Sequence, residues 1–227
     1  MNPQPRILII LLGIITPISV PILHASLIKH APGKTRVPQE AQAKQAAVLL
    51  TRGASTTRPR MSRLAKLAFV IKAIGVTSKL ILSDGDDGLE ARVRIQKTIY
   101  FLKQLGFGFD YEFDQYYHGP YSQALANDYY TLAGLGDGEI NELALLCEKA
   151  NECSEAMGNM IDNLNKWGTD VLEVASLIHD LYTDEKSDYR GDLDGAIDTV
   201  KFLKPWVDDG IINRALGLLR GLGLLSG

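Results

Sequence analysis

Cysteine is scarce in this chain, with two among 227 residues, and tryptophan (two), methionine (four) and histidine (four) are hardly commoner. Cys147 and Cys153, six apart and read as lying in one helix, fall on different faces. That spacing fits neither a metal-binding pair nor a disulfide framework, and predicts free thiols in a reducing compartment. The histidines have no ligand spacing to one another or to the cysteines. No catalytic, cofactor-binding or metal-ligating residue is therefore assigned, and no cofactor is expected.

A strong net charge is also missing, but the total of −3 conceals two unlike pieces. Residues 1–60 hold eight Lys/Arg and one acid, a balance of +7, while residues 61–227 hold 16 basic and 26 acidic residues, a balance of −10. A phosphate backbone needs several converging cations, so nucleic acid is a poor partner for the acidic piece. Hydrophobic residues make up 46% of the chain, enough for a core in one domain plus an appendage.

Long apolar runs are confined to one place. Ile7 to Leu23, "ILIILLGIITPISVPIL", is seventeen residues without a charge, slightly short for a spanning helix and interrupted by Pro17 and Pro21. Residues 24–60 have little periodicity beyond one short helix at Gln39 to Leu50. The expectation is an N-terminal extension over 1–60, spurious or disordered first, a membrane anchor second and a secretion signal last. If the run is retained and inserts, Lys29, Lys34 and Arg36 outweigh Arg6, which leaves residues 61–227 in the cytoplasm. The "HAPGKT" at His30 to Thr35 is no phosphate loop, because Ile28 stands where its first glycine belongs.

From Met61 the pattern is strong. Leu64, Leu67, Ile71 and Ile74 form a helical stripe, with Ser62 as a cap and Gly75 as a stop. The acids of "SDGDDG" (Ser83 to Gly88) lack the register of a calcium loop. A helix follows from about Leu89 to Leu105, with Ile95, Ile99 and Leu102 inward. The period then changes to two: Phe109, Tyr111 and Phe113 alternate with Asp110, Glu112 and Asp114, as in a strand with one wet face. The three carboxylates read as a charged edge, with His118 on the same wet face. "HGPYS" (His118 to Ser122) turns the strand into a helix, capped by Gly119 with Pro120 in its first turn, or by Ser122 directly. Tyr121, Leu125, Tyr129 and Leu132 form its stripe, which stops at Gly134. Beyond it everything reads as helix. Val171, Val174, Ile178 and Leu181 share a face, His179 reads as a packed core histidine, and Asp170 with Glu173 imitates a capping box.

"RIQKTIYFL" (Arg94 to Leu102), the aromatic strand and "HGPYS" together resemble the YwgA-type proteins of bacteria and archaea, within the wider antitoxin-like set that includes SocA and the Panacea domains. "VLEVASLIHDLY…AIDTVKFLKPW…INRALGLLRGLG" is similar to the tail of the YwgA-type proteins, and the resemblance runs from about Met61 to the end. His118 stands where that set often has tyrosine, and Thr98 replaces a usual aliphatic residue. The resemblance implies a protein-binding role, such as neutralising a toxin or presenting one to a protease, and gives no catalytic residues. It makes Gln96, Lys97, Tyr100, Gly119, Pro120, Tyr121 and Ser122 a structural motif.

The expected fold is mainly α: a multi-helix domain over 61–227 with a short β-strand or hairpin between helices, in a winged-helix-like arrangement as one form. The expected function is that of a non-enzymatic, cytoplasmic, antitoxin-like or adaptor-like protein. It would bind a basic toxin or regulator through Asp110, Glu112, Asp114 and His118. The alternatives are a nucleic-acid-associated winged-helix regulator and a hydrolase using the strand carboxylates. The sequence sets neither partner identity nor oligomeric state.

Overall fold

The computed structural model describes residues 57–116 and 118–225, and within them the chain is mainly α-helical. The helices are α1 (Thr57–Ala73), α2 (Ser78–Leu82), α3 (Asp86–Gln104), α4 (Gln123–Leu135), α5 (Asp137–Lys149), α6 (Glu155–Asn165), α7 (Thr169–Thr183), α8 (Leu193–Leu203) and α9 (Asp209–Gly221). The apolar run at 7–23 and the short helix at 39–50 lie outside the described residues. Among the described residues no helix is long and apolar enough to cross a membrane.

Two helices organise the packing. Every residue of α3 from Ile95 to Leu102 is buried, as is every residue of α7 from Val171 to His179. A helix enclosed on all sides must carry its polar residues inside as well. Thus α3 brings Gln96, Lys97 and Thr98 into the core, and α7 brings Glu173, Ser176 and His179. The two pack on each other; α7 also packs on α8 and α9, while α1 pairs chiefly with α5.

Several boundaries differ from the sequence reading. Helix α1 begins at Thr57, so Ser62 is no cap; it sits inside the helix and its hydroxyl meets Glu152. Helix α3 takes in Asp86 and Asp87, whose carboxylates suit the positive end of a helix. Helix α4 runs through Gly134 to Leu135 and stops at Gly136, where φ is +98°. Helix α7 has Gly168 as its N-cap with no side-chain cap bond, so Asp170 and Glu173 form no capping box. Burial draws Glu173 inward to other partners.

The expected strand is the main correction. Phe109 and Tyr111 are buried, Phe113 is half-buried, and Asp110, Glu112 and Asp114 are exposed, so the alternation is real. It records packing on helices instead of pairing in a sheet. Tyr111 is pinned by its hydroxyl to Asp128 (2.9 Å) and by its carbonyl to Lys103 Nζ (2.6 Å). Among the described residues a single antiparallel bridge forms, Asp114 with Tyr121, because the chain enters α4 at Gln123 before a second pair can follow. Among the described residues there is no strand, hence neither a hairpin nor the wing of a winged helix.

The cysteines were also misread. Helix α5 ends at Lys149, Asn151 takes a positive φ of 55°, and the chain doubles back. Cys153 therefore lies outside the helix, its Cα 5.4 Å from that of Cys147, and the two form a disulfide. The cysteines are therefore not free thiols and do not point to a reducing compartment.

Candidate functional site

Two residues of α3, Gln96 and Lys97, hold the "HGPYS" corner. The Gln96 amide makes two bonds to one residue: its Nε2 donates to the Ser122 carbonyl (3.0 Å) and its Oε1 accepts the Ser122 N–H (2.9 Å). Lys97 Nζ donates to the Pro120 carbonyl (2.7 Å). One turn on, the Tyr100 hydroxyl meets His179 Nδ1 at 2.7 Å. The corner could not otherwise be buried, since its backbone groups would lack partners. Ser122 in turn caps α4, its hydroxyl accepting the Leu125 N–H at 3.3 Å. Gly119 has φ +78°, and a Cβ there would lie 3.2 Å from Leu177 Cβ, so both conformation and space call for glycine. Pro120 is buried and Tyr121 half-buried, its ring 5.3 Å from that of Tyr116. All the motif residues except Tyr100, whose hydroxyl goes to His179 of α7, thus come together around one turn of chain.

His118 does not share the wet face of the acids. The turn that Gly119 completes directs its ring toward α7, where Nδ1 lies 3.2 Å from Glu173 Oε1. The same oxygen accepts a hydrogen bond from Lys204 Nζ, whose residue is the buried C-cap of α8. Lys97 is close enough for its charge to feel both Glu173 and Lys204. A half-buried corner histidine, a buried helix carboxylate and two buried lysines therefore form one polar cluster.

Electrostatics sets the protonation of its members and neighbours. Burial pushes the Lys97 ammonium down to about 7; Glu173 opposes this and Lys204 adds to it. Burial also pushes the Glu173 carboxyl upward, but the His118 hydrogen bond and the Lys204 ammonium outweigh it and hold the group below its ordinary value. Burial raises Asp180 to about 6, with Asp184 contributing and a hydrogen bond to Gln115 opposing. His179 is pushed down to about 4 by burial and is neutral at physiological pH.

The chemistry open to this arrangement is limited. Ser122 Oγ serves the α4 cap and His118 Nδ1 serves Glu173, so the hydroxyl and the imidazole are committed to different partners. Asp110, Glu112 and Asp114 do lie exposed along one side, with Arg63 3.9 Å from Asp110. Among the described residues no group of three His, Cys, Asp or Glu side chains is placed to hold a metal ion.

Sequence reasoning missed the surface next to this cluster. Lys204 points inward from a segment whose other large side chains point out: Phe202 is 84% exposed, Leu203 52% and Trp206 51%. The Lys204 ammonium lies 5.8 Å from the Trp206 ring centroid, a cation–π contact beneath the ridge. A signal for it was present. The buried stripe of α8 is Ala196 and Val200, which Lys204 continues at the next turn. Phe202 falls off that stripe. Comparison of the chain with protein-family models, with curated proteins and with solved structures finds no match in any of the three.

Proposed function

We infer that the chain is a non-enzymatic protein-binding module, antitoxin-like or adaptor-like, and that the ridge of Phe202, Leu203 and Trp206 is its principal docking surface. The observation that carries this is the exposure of two aromatic residues and a leucine within five positions, at the end of a helix whose apolar stripe is already buried. Large aromatic side chains concentrate binding energy at protein interfaces, and such side chains are seldom clustered on a surface without one. Asp198, Asp208 and Asp209 are exposed nearby, which suits a partner with a basic rim. Lys201 answers part of that charge through Asp209, at 2.7 Å.

The exposed row of Asp110, Glu112 and Asp114 gives a second acidic region on the same domain. The resemblance of residues 61–227 to YwgA-type and antitoxin-like proteins agrees with this reading, as does the commitment of His118 and Ser122 to different partners. No compartment is part of the proposal, since a disulfide is unusual in a reduced cytoplasm. Affinity capture from native extract, with wild type and a Phe202→Ser/Trp206→Ser variant side by side, tests it. A partner held by wild type and lost by the variant supports the ridge. Equal retention by both sinks it.

A further inference from the structure

The ridge and the corner share one atom. Glu173 Oε1 accepts from His118 of the corner and from Lys204 at the root of the ridge. We propose that Glu173 couples the two, so that a change at His118 alters the ridge, and with it the docking surface. This rests on the ridge being that surface.

The ridge is the last turn of α8 and the short turn that follows it, closed around Lys204. The Lys204 N–H donates to the Val200 carbonyl (2.9 Å), ending α8, and the Lys204 carbonyl accepts the Val207 N–H (2.9 Å), turning the chain toward α9. Phe202, Leu203 and Trp206 project outward from this segment, and Lys204 is its inward anchor. Where the Lys204 ammonium sits fixes where the ridge sits. Glu173, on the enclosed helix α7, is one of the partners that hold it there.

The carboxylate is in turn shared. Glu173 is buried, so its interactions are little screened by water or salt. Among the described residues, the titratable groups that face it are Lys97 from α3, His118 from the corner and Lys204 from the end of α8. Withdrawing His118 leaves Glu173 to the two lysines, and the carboxylate and the Lys204 ammonium must readjust. A buried ion pair adds little net stability over apolar packing, but losing one partner is costly. Its use here is to place the ridge and report on the corner.

The test needs no partner. Amide hydrogen exchange of residues 200–207 in the full chain is compared among wild type, His118→Ala, Glu173→Gln and the double variant. Ser122→Ala serves as a corner change that does not touch Glu173. Coupling predicts that His118→Ala speeds exchange at the Lys204 and Val207 amides by about fivefold or more. The same substitution should add nothing in the Glu173→Gln background. Unchanged exchange in His118→Ala overturns the proposal, as does an equal acceleration in Ser122→Ala, which would mark general loosening. His118→Gln, a milder change, decides the matter if His118→Ala fails to fold. Because partner binding is not measured, the coupling can fail while the ridge still binds, and the ridge can fail while the coupling holds.

Discussion

Lys97→Met gives the sharpest test of the buried cluster. The lysine is pushed down from 10.5 to about 7 by burial, so across that window the unfolded chain carries a proton that the folded chain does not. A folded-state value below the unfolded one means that stability rises with pH through the window, by up to about 1.4 kcal/mol per pH unit. Between about pH 7 and about pH 9 Lys97 should contribute roughly 2 kcal/mol of pH-dependent stability. The disulfide removes the thiols from this range, and burial moves Tyr100, Tyr111 and Tyr129 further above it. Methionine keeps the length and the packing and removes the titration. It also loses the bond to the Pro120 carbonyl, worth about 1 kcal/mol, and any difference in that bond between ammonium and amine is already contained in the folded-state value. Urea unfolding of wild type and variant at the two pH values reads the difference directly. Wild type should gain about 2 kcal/mol on going up, and Lys97→Met should be nearly flat. Equal pH dependence would refute the reasoning and show that Lys97 stays protonated in the fold, neutralised by Glu173.

Other substitutions probe the surrounding structure. Ser122→Ala should cost about 1 kcal/mol through loss of the α4 cap, and Gly119→Ala about 1–2 kcal/mol from its positive φ, more if Leu177 cannot give way; chemical denaturation measures both. Asp180 is raised from 3.8 to about 6, so falling pH adds stability between those values, while His179, lowered from 6.5 to about 4, removes it over nearly the same range. Asp180→Asn should therefore steepen the loss of stability on acidification, and a variant that tracks wild type would contradict the opposing signs. Reducing the Cys147–Cys153 disulfide, which closes a short loop, should lower stability by about 2 kcal/mol in thermal unfolding with and without thiol.

What was legible in the sequence is what periodicity records. Leu64, Leu67 and Ile71, then Ile95, Ile99 and Leu102, then Leu125, Tyr129 and Leu132, are all buried, because a helix laid on a core repeats its inward face. The same logic misled at Phe109–Asp114. Alternation shows that one side is covered but not by what, and here helices cover it. His118 was assigned by parity with the acids, which fails because His118 lies inside the turn closed by the Gly119 N–H on the Tyr116 carbonyl (2.9 Å). Glu173 read as a capping residue because spacing alone cannot tell an exposed first turn from a buried one. The Cys147–Cys153 disulfide depended on where α5 ends, and helix ends are the least legible feature of a pattern. The ridge was missed because Phe202 and Leu203 were read only as part of a helical stretch, with no face assigned to them.

Photocrosslinking from single positions tests the docking surface most directly. A benzophenone side chain is placed in turn at position 202 on the ridge, at position 112 in the acidic row and at position 145, where Leu145 is an exposed apolar residue of α5. After incubation with the captured partner, crosslinking should be strong from 202 and negligible from 145. Crosslinking from 112 or 145 with none from 202 would contradict the central claim and move the binding surface away from Phe202, Leu203 and Trp206.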